Sequence, residues 1–178
     1  MKYLILCEGS NELEIMRILI EHNKLVFGED DLLGLTPYHA RQIDRSGQVQ
    51  RELEMYPGCD VHVMRVGDVQ NEALRIPFGY RKKIVNVEKY CTKPELEILL
   101  IISEGLLSDY EKVQSRQTPK AYAKNHIRYG RKRYDNSSRF YRDYYGSNPD
   151  ALANAILEYR KYKHAHKKDE HYLAELLR

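Results

Sequence analysis

Residues 3–7, Tyr-Leu-Ile-Leu-Cys, are apolar without alternation, the pattern of a strand covered on both faces in a parallel sheet. Glu8 and Gly9 close the run, and Ser10 or Asn11 can cap a following helix. In that helix Leu13, Met16 and Ile20 recur at i, i+3 and i+7 with Leu19 beside them, which predicts an amphipathic segment over about 11–24. Strand, tight turn and helix make the first half of a βαβ unit. Pro37 to Ile43 predicts a second strand, Asp44-Arg-Ser-Gly47 a turn, and 47–56 a short helix stopped by Tyr56-Pro57-Gly58. Val61 to Val66 predicts a third strand ending on Gly67-Asp68, and Lys83 to Tyr90 a fourth. Between them, 69–82 contains Pro77 and Gly79 and fits no long helix.

Thr92-Lys-Pro94-Glu95 has the form of a helix start, with proline in the first turn and Glu95 and Glu97 placed to complement the helix dipole. The dense apolar run from Leu96 to Leu107 predicts a core helix. From Thr118 onward the pattern is helical and polar, with helices expected over about 118–128, 136–145, 149–165 and 169–177, and with no strand. The stretch Arg128-Tyr-Gly-Arg-Lys-Arg-Tyr134 reads as an exposed basic loop. The expected fold class is therefore α/β, a mostly parallel sheet of about four strands flanked by helices over 1–112. A C-terminal basic helical region over 113–178 packs on it.

Composition refines this picture. The 178 residues hold 42% hydrophobic and 31% charged side chains, enough apolar content for one core, with no Trp and 15 Tyr. Cys7, Cys59 and Cys91 are widely spaced and form no CxxC pair, so a reduced, cytoplasmic setting and no zinc site are expected. Neither 3–7 nor 96–107 is long enough to span a bilayer, so no membrane partner is expected. Residues 1–111 carry 13 Lys and Arg against 19 Asp and Glu, a net −6, whereas 112–178 carry 16 against 7, a net +9. An acidic front and a basic rear suit a metal centre beside a polyanion-binding surface, and equally a helical region with a solvated basic face.

Two carboxylates, Glu8 and Asp68, stand at the carboxyl ends of predicted strands, where open α/β sheets bind ligands. Such hard oxygen donors suit Mg²⁺ or Mn²⁺, which can polarise a phosphoryl oxygen and orient an attacking water. Leu4-Ile-Leu-Cys-Glu8-Gly9 before a helix, and Val63-Met-Arg-Val-Gly-Asp68-Val-Gln70 after it, resemble the TOPRIM domain of topoisomerases, primases, recombination factors and small nucleases. The resemblance covers roughly residues 1–110, and Lys93-Pro-Glu95-Leu-Glu97 is similar to a helix start in small TOPRIM-like proteins near the overcoming-lysogenization-defect nucleases. It implies a Mg²⁺-dependent nuclease or related phosphoryl-transfer protein, with Glu8 as metal ligand or general acid/base and Asp68 as metal ligand. Gln70 occupies the position of the family's second aspartate. That difference leaves three alternatives: weaker metal binding, a replacement ligand such as Asp44, Glu72 or Glu95, or a non-catalytic binding module, which would fit a phage or defence system. Asp44 also suits an ordinary type I turn, and Glu95 an ordinary first helical turn.

Arg116, Lys120, Lys124, Arg128, Arg131, Lys132 and Arg133 are interleaved with Tyr122, Tyr129 and Tyr134. Lys and Arg neutralise phosphates and tyrosine rings stack on unpaired bases, so DNA or RNA is the expected partner, held without base reading. The same tyrosines could instead pack the helical region. Lys120 and Lys124 share a helix face at i, i+4.

Overall fold

The computed structural model describes residues 1–68, 70–162 and 166–178. Its strands are β1 (Lys2–Cys7), β2 (Tyr38–His39), β3 (Val61–Gly67), β4 (Ile84–Cys91), β5 (Arg128–Tyr129), β6 (Lys132–Arg133) and β7 (Glu170–His171). Five of them form one parallel sheet in the order β2-β1-β3-β4-β7, and β5 and β6 form a separate antiparallel hairpin. The helices are α1 (Ser10–Glu21), α2 (Gly47–Met55), α3 (Ile98–Ser103), α4 (Leu107–Glu111), α5 (Pro119–His126), α6 (Ser138–Tyr145) and α7 (Pro149–Lys161). None of the described helices is long and apolar enough to cross a membrane.

Strand alternation divides the core. Leu4 and Leu6 of β1 join Val61 and Val63 of β3 on one face, where Val49 and Leu53 of α2 cover them. Ile5, Cys7, Met64 and Val66 face the other way, into a larger core built by α1, α3, α5, α6 and α7. Both faces are thus covered, which is why β1 reads as an unbroken apolar run. From β1 the chain crosses to β2 on one side and returns to β3 on the other, so the carboxyl ends of β1 and β3 form a topological switch point.

The structure corrects several expectations. The second strand shrinks to two residues: Pro37 has no N–H to donate and Ile43 already opens a 3-10 turn. The helix expected from Thr92 starts only at Ile98, since Thr92 still donates to the Gly67 carbonyl and prolongs the sheet pairing. Its apolar run breaks at Gly105, whose φ of +68° is left-handed. The rear contains strands after all. The basic loop is the β5–β6 hairpin turning at Gly130, and 169–177 holds β7 and a 3-10 turn, Leu173–Leu176, instead of a helix. Two residues of β7 carry no strand pattern of their own; the ion pairs Lys89–Asp169 (2.6 Å) and Lys93–Glu170 (2.5 Å) bring them to β4. The end of the helix expected over 149–165 falls partly on residues 163–165, outside the described residues.

Candidate functional site

At the switch point a cavity of about 250 Å³ is lined by Glu8, Glu12, Asp68 and Glu97, with Lys120 and Arg41 as the cations in its wall. Glu8 follows β1, and its backbone N–H donates to the Val66 carbonyl (2.8 Å), prolonging the β1–β3 pairing. Its Oε1 pairs with Arg41 Nη2 at 3.2 Å. A Cβ placed on Gly67 would lie 2.4 Å from Glu8 Oε2 and 2.8 Å from Glu8 Cβ, so β3 must end on glycine for Glu8 to occupy this position. Gly67→Ala is therefore expected to displace the Glu8 side chain and to cost about 1–3 kcal/mol, read by urea unfolding; an unchanged midpoint would refute the packing argument.

Glu12, one turn along α1 from Gly9, is 8% exposed and folds back over the helix start. A Cβ on Gly9 would meet its Oε2 at 2.5 Å. Burial pushes the Glu12 carboxyl up to about 7, with Asp68, Glu8 and Glu97 adding repulsion. Glu97 is 2% exposed and accepts a hydrogen bond from Tyr134 Oη at 2.6 Å, while Lys120 Nζ lies 3.9 Å away. Burial raises its pKa against these opposing partners. Asn11 and Asn136 complete the polar rim, joined by an Asn11 Nδ2 to Asn136 Oδ1 bond of 3.2 Å.

The structure thus brings Glu8 and Asp68 to one cavity and adds two acids at helix starts, Glu12 and Glu97. Glu12 could have been found from its i+4 spacing to Glu8 across a tight turn; Glu97 has no such signal, because α3 starts later than its sequence suggests. Glu95 does not join the cavity wall, since its Oε2 accepts from the Lys120 backbone N–H (2.8 Å) at the start of α5. Asp44 stands in a 3-10 turn, paired with Arg75 Nε at 2.9 Å, and Glu72 pairs with Arg75 Nη1 at 3.0 Å. Neither lines this cavity. Gln70 is buried on the opposite side of Glu8.

Among the described residues no three His, Cys, Asp or Glu side chains form a ready-made metal cage. Mg²⁺ needs none: it is commonly held by one or two carboxylates with waters and substrate phosphates. The four carboxyl groups in this lining are oxygen donors of the kind Mg²⁺ prefers, with Arg41 and Lys120 beside them.

Of the basic residues, Lys120 reaches the cavity, while Lys124 is exposed on the same helix. Arg128, Arg131 and Arg133 are exposed on the β5–β6 hairpin, and Lys132 pairs with Asp135 at 3.3 Å. The tyrosines divide. Tyr122, Tyr134, Tyr141 and Tyr145 are core residues, and Tyr129 on the hairpin is 45% exposed. Tyr134, which follows β6 directly, carries the connection from the hairpin to Glu97. Comparison with protein-family models, with curated proteins and with solved structures finds no match.

Proposed function

We propose that this chain is a Mg²⁺- or Mn²⁺-dependent phosphoryl-transfer protein of TOPRIM-like type, a nuclease acting on DNA or RNA. The observation that carries the proposal is the convergence of Glu8, Glu12, Asp68 and Glu97 on one cavity at the switch point of a parallel sheet. Glu8 and Asp68 would hold the ion, which when bound supplies Lewis-acid polarisation of a phosphoryl oxygen. Glu12, buried in the same cavity wall, would take or give a proton beside them. Lys120 would meet a phosphate at the cavity, and Lys124, Arg128, Arg131, Lys132 and Arg133 would track the backbone away from it. Gln70 favours a second reading, a non-catalytic nucleic-acid- or partner-binding module, because it withholds one charge from the cluster.

Calorimetric titration with Mn²⁺ and cleavage of labelled single strands test both. The wild type is expected to bind Mn²⁺ and cleave, with Glu8→Gln and Asp68→Asn each weakening the ion by at least about tenfold. Metal binding without cleavage would favour the second reading, and no metal binding would end the first. Charge reversal of Arg131, Lys132 and Arg133 together is expected to lower the salt slope of single-strand binding by roughly two log units per log unit. An unchanged slope would remove the hairpin from the interface.

A further inference from the structure

On the other side of Glu8, over the α2 face of the sheet, lies a smaller cavity of about 170 Å³. Leu6 and Arg65, register partners at the ends of β1 and β3, form its floor, and Arg41, Gln70 and Glu72 form its walls. Gln70 is 5% exposed, yet among the described residues neither its Oε1 nor its Nε2 has a hydrogen-bond partner. The fold treats a neighbouring amide differently. Gln42, 3% exposed, donates from Nε2 to the Ala73 carbonyl (3.1 Å) and accepts at Oε1 from the Arg75 N–H (2.8 Å). A buried amide left without either partner is uncommon in folded proteins and asks what satisfies it.

The chemistry narrows the answer. A phosphate or carboxylate offers only acceptors; it would suit Nε2 and Arg65 but repel Oε1. The Gln70 amide needs a donor and an acceptor side by side, which is what the hydrogen-bonding edge of a nucleobase presents. The volume is below the roughly 300–1,000 Å³ typical of drug-sized ligands and suits one ring system instead of a whole nucleotide. Arg41, with 69% of its side chain exposed, lines the same cavity, and a guanidinium plane can stack on a ring.

We propose that this cavity receives one unstacked nucleobase of a bound strand, paired edge-on by the Gln70 amide. Glu8 is in the wall of both cavities, so a base held here puts its own phosphate beside the carboxylate cluster. Gln70 is then a binding residue for the base next to the reacting phosphate. The proposal rests on the nucleic-acid reading above.

The test is binding of the four nucleoside 5′-monophosphates and of ribose 5-phosphate to the full chain with Ca²⁺, followed by NMR titration, with Mn²⁺ binding measured separately. At least one monophosphate should bind about tenfold more tightly than ribose 5-phosphate, and Gln70→Leu should erase most of that advantage. Should Gln70→Leu fail to fold, Gln70→Asn, which keeps the amide but withdraws it, is expected to lose the same advantage. Ribose 5-phosphate binding as tightly as all four, or an advantage that survives the Gln70 variants, overturns the inference. If Mn²⁺ binds while either result is found, the proposed function stands without it. If neither Mn²⁺ nor any monophosphate binds, both fall.

Discussion

Glu12→Gln is expected to stabilise the metal-free protein at pH 8 by up to about 3 kcal/mol and to leave it unchanged near pH 4. The Glu12 carboxyl rises from 4.5 to about 7 on folding, because it is buried and faces Asp68, Glu8 and Glu97. Below pH 4.5 the group is protonated in both folded and unfolded chains and contributes no slope. Between 4.5 and 7 the unfolded chain has released the proton while the folded chain still holds it. The unfolded state then binds fewer protons, so stability falls as pH rises through this window and levels off above it. Glutamine keeps the shape and the oxygen that serves the helix start but cannot ionise. Urea unfolding of both proteins from pH 4 to 8 should show the curves meeting at the acid end and separating above pH 5. Parallel curves would mean that Glu12 is solvated and outside the cluster. Under the proposed function Mg²⁺ opposes the loss, so its stabilising effect on the wild type should grow over the same pH range.

Tyr141→Ala is expected to remove about 3–5 kcal/mol of stability, a large part of the roughly 5–15 kcal/mol that holds a typical domain together. Tyr141 is fully buried on α6, edge-on to Tyr134 (5.9 Å between ring centres, 89°), and stacked toward Tyr145 (6.4 Å, 28°). Alanine would leave a cavity in the core shared by α1, α3, α6 and α7. Tyr141→Phe should cost only about 1 kcal/mol. It deletes one hydroxyl contact, to Tyr134 Oη at 3.3 Å, and leaves the Tyr134–Glu97 bond in place. Chemical denaturation reads both variants. A loss below about 1 kcal/mol for the alanine would show that these rings are not packed as a core.

These two residues also mark what was legible in the chain. The tyrosine-rich rear has the composition of a base-stacking surface, but composition does not say which way a ring points. Tyr122, Tyr141 and Tyr145 turn inward because α5 packs on α3 and α6 on α1, and Tyr134 turns inward to Glu97, leaving Tyr129 at the hairpin for solvent. Glu12 reads in sequence as a first-turn acid of α1, favourable to the dipole wherever the helix sits. Its raised pKa comes first from burial and then from repulsion by Asp68, Glu8 and Glu97, and both burial and the approach of Asp68 and Glu97, 56 and 85 residues away in sequence, are products of packing.

By itself the sequence determined the parts whose signal is local. The unbroken run of β1, the strands β3 and β4, the period of α1, the break after α2 and the placing of Glu8 and Asp68 at strand ends each follow from neighbours a few residues apart. Only the tertiary structure decided which acids meet. Glu97 enters the cavity and Glu95 leaves it because the start of α5 takes the Glu95 carboxylate, and Asp44 is drawn off by Arg75. The fifth strand is also a tertiary product: two residues with no strand period of their own, brought to β4 by Lys89 and Lys93. Periodicity encodes the face a segment buries; the partner that face meets depends on contacts formed only when distant segments pack.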